Sequence, residues 1–249
     1  MCYHVSQEKT VEQLKVAFRR PVDNIELFKQ AFHVNAFDNP FQPVISNRNP
    51  RVIDMYRWRL VPSGVTSEKT FGANTRNARS ETIFTANSYK PYWENRCLII
   101  CTGFFEPHFI SQDRPTHSYY IKPKQREFLT LGGIFAPWQG INTYSVITTA
   151  ASPLLSEVHN EGKRMPLVLE GEAARLWVSP AGSMSQEKMG QLMQPYLHDD
   201  NWITYRTIDG ITNSRAATNV PEVLLPYEPK AAGYGDLPLF GQNRDDKSD

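Results

Sequence analysis

The apolar positions of the chain change period several times, and each change marks a candidate element. After the opening Met1-Cys2-Tyr3-His4-Val5, residues Val11, Leu14 and Phe18 fall on one helical face. Thr10 and Gln13 have the spacing of a capping box ahead of them, and Pro21 stops the run. A weaker helical pattern covers residues 25–31. Residues 43–45 and 52–61 read as strands, and in the second Tyr56, Trp58 and Leu60 alternate with Arg57 and Arg59, which predicts one wet face. Residues 72–79 are polar and predict a surface loop carrying Arg76, Asn77 and Arg79 toward a helix near 81–88. Further strands are expected at 97–105, 117–121, 128–135, 144–149, 166–169 and 202–208, with short helices at 172–178 and 186–196. From Tyr227 onward Pro, Gly, Asp and Lys dominate, so 227–249 reads as a loosely held tail behind a single domain at 1–226. The expected fold class is α+β, a mixed β core with helices packed around it.

Composition narrows the picture only a little. The chain is 40% hydrophobic and 21% charged, an ordinary balance for a globular protein that folds in water, and 249 residues suffice for one sizeable core. A formal net charge of +1 means that any nucleic acid must be met by a local concentration of Lys and Arg. No run approaches the roughly 20 apolar residues of a membrane helix. The first thirty residues lack an apolar signal core, so the expected compartment is the cytoplasm and the expected state a monomer with no membrane contact.

Candidate chemistry begins at Cys2. Removal of Met1 would leave one residue with both an α-amine and a thiol, and their ordinary pKa values, near ~8 and ~8.5, make both usable nucleophiles. Such a 1,2-aminothiol condenses with an aldehyde first through nitrogen and then through sulfur, closing a five-membered thiazolidine. The natural aldehyde of nucleic acids is the ring-opened abasic sugar. Glu106 follows the strand-like Cys101-Thr102-Gly103-Phe104-Phe105 and is expected at a strand end, where neighbouring aromatics would favour its protonated form and suit it to acid/base work. His159 lies in the polar segment 157–166 and is expected to be accessible, placed to pass a proton to the sugar ring oxygen. Asn77 is suited to hold an amine or a sugar hydroxyl and Arg79 to fork onto a phosphate. Cys97 and Cys101 are not expected to share a metal, because four strand positions separate their Cα atoms by roughly 13 Å. They read as core cysteines; neither metal nor cofactor is called for. Each residue also has a plain structural reading: a solvated Glu, a surface His, turn chemistry at Asn77.

The ordered set Met1-Cys2, Asn77-Ala78-Arg79-Ser80-Glu81-Thr82, Cys101 to Glu106, and His159 followed by Arg164-Met165-Pro166-Leu167-Val168-Leu169 resembles the SOS response-associated peptidase (SRAP) family. Trp58, Lys90-Pro91-Tyr92-Trp93, Gly133-Ile134-Phe135 and Thr148-Thr149-Ala150 extend the resemblance, which runs from Met1 to about Pro226. It implies one compact domain with a β-barrel-like core and a positive channel for single-stranded DNA. It further implies Cys2 as the nucleophile that crosslinks abasic sites, Asn77 as the residue that orients it, Glu106 as acid/base and His159 as the group that helps open the sugar. Nucleic-acid contacts fall to Arg76, Arg79, Trp58, Lys90 and Arg164. Two segments depart from the pattern: Tyr3 and His4 stand where Gly and Arg are usual, and Phe32-His33-Val34-Asn35-Ala36 replaces a Tyr-Asn-Val-Ala-Pro-like loop. Tyr3 there offers a stacking surface to a base. Two other functions compete with covalent capture: a cysteine peptidase with Cys2 as N-terminal nucleophile, and a non-covalent binder of single strands.

Overall fold

The structure, a computed structural model, describes residues 2–68, 70–110, 116–213, 215 and 218–228. The opening residues form β1 (His4–Gln7), buried along its whole length. Helix α1 (Val11–Phe18) follows with the expected cap: Thr10 Oγ1 accepts from the Gln13 N–H at 3.2 Å, and the Gln13 side chain returns to the Thr10 N–H at 2.9 Å. Only a single 3-10 turn, Ile25–Leu27, forms where a helix was expected over 25–31, and the chain runs on into β2 (Ala31–Asn35). The segment 32–36 is therefore mostly strand, not loop.

Five strands close a barrel. β3 (Phe41–Ser46) pairs with β4 (Asp54–Trp58) and with β6 (Arg96–Cys101), β6 pairs with β9 (Leu129–Trp138), and β9 pairs with β10 (Ile141–Ala150), whose start lies parallel to β4. The second half of β10 leaves the barrel and takes the short β5 (Asn77–Arg79) on one side and β11 (Arg164–Pro166) on the other. Aromatics and thiols fill the interior: the Tyr56 and Phe135 rings lie 5.2 Å apart, Trp58 stacks on Tyr144 at 5.7 Å, and Cys97 and Cys101 are buried as expected. Gly133 allows β9 and β10 to approach, because a Cβ there would strike the Ser145 carbonyl and the Ile99 side chain.

The apolar run 97–105, expected as one strand, is two strands in two sheets. It breaks at Thr102, whose N–H donates to the Ser6 carbonyl, and β7 (Gly103–His108) continues outside the barrel. A Cβ at Gly103 would collide with the Tyr120 ring, so glycine lets the sheet close over that side chain. The second sheet has the order β12 (Trp202–Arg206), β8 (His117–Pro123), β7, β1, β2 and is antiparallel throughout. Its outer strand β2 does not end bare: Asn219 Oδ1 accepts from the N–H groups of Phe32 at 2.8 Å and His33 at 3.3 Å.

The remaining helices are short. α2 (Pro153–Val158), absent from the sequence reading, starts from a Ser152 cap. α3 (Gly171–Trp177) and α4 (Gln186–Leu192) fall where helices were expected, while 80–88 makes only a 3-10 turn and turns. Among the described residues no helix is long and apolar enough to cross a membrane. Of the expected tail, 229–249 lies outside the described residues; Tyr227 is held by its N–H on the Arg206 carbonyl at 2.8 Å and by the Arg206 guanidinium over its ring.

Candidate active site

Residue 2 is placed by the strand that follows it. The β1 ladder sets His4 opposite Phe105 on β7 and opposite Asn35 on β2, and the Tyr3 carbonyl accepts from the Ala36 N–H at 2.8 Å. The chain start is thereby brought beside Glu106, one residue beyond Phe105. In the chain that carries Met1, Cys2 is fully buried, because β1 draws its flank into the core formed by Val5, Phe104 and Tyr144. Burial, reinforced by the neighbouring Glu106 carboxylate, pushes the Cys2 thiol well above its ordinary pKa.

Glu106 lies inside β7 and not at its end, 1% exposed, and its Oε2 is 3.2 Å from His159 Nδ1. His159 was expected on an accessible loop. It is instead the buried C-cap of α2, and its Nδ1 also donates to the Arg164 carbonyl at 3.1 Å. Three further contacts stitch α2 to the end of β7. Asn160 accepts from the Phe109 N–H at 2.9 Å and donates to the Phe109 carbonyl at 2.8 Å, while His108 Nδ1 lies 3.0 Å from the Glu157 carbonyl. The far end of α2 is anchored as well, since Asp199 accepts from the Ser152 hydroxyl at 2.5 Å and the Leu154 N–H at 2.9 Å. Sequence reasoning missed Asn160, Asp199 and also Gly162, whose missing side chain leaves room for the His159 imidazole. The Ser152-Pro153 start of α2 was the available signal.

Asn77 lies on the other sheet. It opens β5, opposite Val146, and is 8% exposed, yet neither its Oδ1 nor its Nδ2 has a hydrogen-bond partner among the described residues. Most buried amides are fully bonded, so an orphaned one is a marked exception. Tyr3 links the two sides: Asn74 Nδ2 donates to its hydroxyl at 3.2 Å, and its ring packs on Phe37 at 4.9 Å.

The five expected DNA contacts separate into two groups. Arg79 and Lys90 are exposed. Trp58 is fully buried, donating its Nε1–H to the Arg76 carbonyl at 2.9 Å, and reads as core. Arg164 forks onto Glu81 at 2.6 and 3.0 Å and also reaches the Thr148 carbonyl, holding the Glu81 carboxyl below its ordinary pKa. Arg76 is committed to the Ala36 carbonyl at 2.7 Å and to Asn39 Oδ1 at 2.8 Å. A cavity of about 640 Å³ beside His33 and Gln42 and another of about 400 Å³ between Phe18 and Val178 include neither Cys2, Asn77, Glu106 nor His159. No group of three or more metal-ligating side chains occurs among the described residues.

Three solved structures share the architecture. A protein from Bacteroides thetaiotaomicron is 26% identical with a TM-score of 0.79, covering 91% of this chain and 100% of its own. A protein from Bordetella bronchiseptica is 20% identical with a TM-score of 0.69, covering 83% and 100%, and a phage-related protein from the same organism is 19% identical with a TM-score of 0.60, covering 82% and 93%. At these identities the latter two show the fold alone. No curated protein matches the chain. The family described as SOS response associated peptidase matches residues 1–214.

Proposed function

The chain belongs to the SOS response associated peptidase family, which makes it a DNA-damage-associated protein, and from that premise we propose that it captures abasic sites in single-stranded DNA through Cys2. The observation that carries the reading is the buried Glu106–His159 pair set beside Cys2; the Asn77 amide, buried with no partner among the described residues, is assigned to the same reaction by its chemistry. Acid/base groups excluded from water and adjacent to a nucleophile are what imine chemistry needs.

The reactive form is the chain that begins at Cys2. Its neutral α-amine adds to the C1 aldehyde of the ring-opened sugar to give a carbinolamine. Glu106 passes a proton to the departing hydroxyl, water leaves and an imine forms. The Cys2 sulfur then adds to the imine carbon, its proton moves to nitrogen, and the thiazolidine closes; the sum is amine, thiol and aldehyde giving one ring and one water. Nitrogen acts first and sulfur second, because sulfur closes the ring onto the imine carbon that nitrogen has made. His159, steadied through Nδ1 by Glu106 and the Arg164 carbonyl, serves the ring oxygen of the closed sugar during opening. Asn77 supplies a donor and an acceptor to the amine or the sugar. Arg79 and Lys90 contact the flanking phosphates as exposed cations.

The test is incubation with a single-stranded oligonucleotide bearing one abasic site. A heat-stable adduct is expected, absent in Cys2→Ala and absent when Met1 is retained or a tag blocks the amine. Equal crosslinking by the blocked protein refutes the mechanism. Sustained peptide cleavage without DNA would favour the peptidase reading, and equal non-covalent binding of abasic and intact strands would favour a simple binder.

A further inference from the structure

Two buried histidines, one of them two residues beyond Cys2, play no part in the chemistry above. His4, 3% exposed on β1, and His33, 7% exposed on β2, face each other with Nδ1 of the first 3.0 Å from Nε2 of the second. The ring centroids are 5.2 Å apart with 20° between the planes. The centroid separation exceeds the nitrogen–nitrogen distance by about two ring radii, so the rings lie end to end in nearly one plane, as an N–H···N hydrogen bond requires.

Proton positions follow from the outer partners. His33 Nδ1 lies 3.0 Å from the Thr218 carbonyl, which only accepts, so that nitrogen carries hydrogen. In a neutral ring His33 Nε2 is then bare, and His4 must donate to it from Nδ1. His4 also faces the Thr212 backbone carbonyl, toward which a neutral His4 has no second hydrogen to offer. The neutral pair thus holds two protons in an ordered chain running from His4 through His33 to Thr218. With both rings protonated, each inner nitrogen would carry hydrogen, and the bond between them could not exist.

We propose that His4 and His33 form a proton-sensitive latch: their hydrogen bond fastens the start of β1, and with it Cys2, into the sheet at neutral pH, and protonation of both rings releases it. Burial favours the neutral form, against the Thr212 and Thr218 carbonyls, each of which draws a proton toward its ring. Phe105 meets His33 edge-on and Asn219 caps its backbone; Asp38 is the charged group that draws a proton toward His33, while the chain's positive amino terminus repels one from His4. Burial, followed by its histidine neighbour, pulls His4 down to about 3, and burial lowers His33 as well. Both native values lie below that of a free histidine. The unfolded or unlatched chain therefore binds protons from near pH ~6.5 that the latched chain refuses, and the latch weakens as pH falls through that range toward 3.

Only the functional consequence, control over access to Cys2, rests on the capture reading; the latch is tested separately. Imidazole nitrogen NMR of the full chain at pH 7.5 should show both rings neutral with hydrogen on Nδ1. Hydrogen exchange of β1, corrected for intrinsic rates, should gain about tenfold in opening per pH unit per proton taken up below pH ~6.5. His33→Gln, which can accept from His4 and donate to Thr218 without titrating, should lose one proton of that dependence while keeping β1 protected at neutral pH. Labelling of Cys2 by a pyridyl disulfide, relative to a free peptide, should rise from pH 7.5 to 5.5. An Nε2–H tautomer on His33, ordinary titration of either ring near pH ~6.5, or exchange of β1 that ignores pH would each overturn the latch. Failure of abasic-site capture at neutral pH would leave these readouts untouched and would refute only the capture reading.

Discussion

Replacing Asn77 by leucine, which has nearly its shape without the amide, should make the protein more stable and less able to capture an aldehyde. Two amide atoms are buried without partners among the described residues, and each such atom costs about 1–3 kcal/mol relative to a satisfied one. Leucine removes both costs and keeps the branching at Cγ, so a net gain of about 1–3 kcal/mol is expected after allowing for the strain of its larger methyl groups. In a protein of this length each kcal/mol raises the melting temperature by about 2–4 °C. The assay pairs a thermal melt with a time course of adduct formation on an abasic single strand, with Asn77→Ala included to report the effect of an empty space at the same position. A leucine variant that melts higher and crosslinks at least tenfold more slowly supports an amide held in reserve for substrate. One that melts lower by more than an Asn77→Ala variant, or crosslinks at the native rate, refutes it.

Gly162→Ala drives a methyl group into the buried His159 imidazole and should slow adduct formation several-fold at a cost of about 1–3 kcal/mol in stability; melts and crosslinking gels check both. Arg79→Ala should weaken binding of single strands and lower the magnitude of the salt slope by about 0.7, whereas Arg164→Ala, already committed to Glu81, should leave the slope unchanged, as fluorescence anisotropy across a salt series will show. Arg164 should matter to stability instead. Because Arg164 lowers the Glu81 pKa, their pairing is fully present above the ordinary carboxylate range and is lost as pH falls through the native value; the half-exposed Glu81 limits it to about 1 kcal/mol, measured as the wild-type minus Arg164→Ala melting difference between pH 7 and pH 3. Cys97→Ala should destabilise by about 1–2 kcal/mol yet crosslink at the native rate, separating the barrel thiols from Cys2.

Much of the fold was legible where pattern and chemistry agreed. The Thr10–Gln13 cap announced α1, and alternation announced β4, because both signals are local. Thr102 gave no such warning: the run from Cys97 to Phe105 is apolar throughout because both strands are buried, and only the passage of the Thr102 N–H to Ser6, far away in sequence, divides it. α2 went unread because six residues carry too little periodicity, and with it went the burial of His159. The identities of Cys2, Glu106, His159 and Asn77 could be picked out by chemical type. That Glu106 touches His159 across fifty-odd residues could not, since it depends on Asn160 and Asp199 fixing a helix the sequence did not reveal. Trp58 was misread as a DNA contact because an aromatic on a strand looks the same facing a base or facing Tyr144.

The clasp of Asn219 over β2 has a practical outcome. A shortened version of the chain stopping at residue 214, where the family match ends, would lose that clasp and the Thr218 carbonyl together, stripping the outer strand of its cover. Such a fragment should pair with its own copies through the uncovered backbone, so self-association on trimming would reflect the missing asparagine and not a natural dimer.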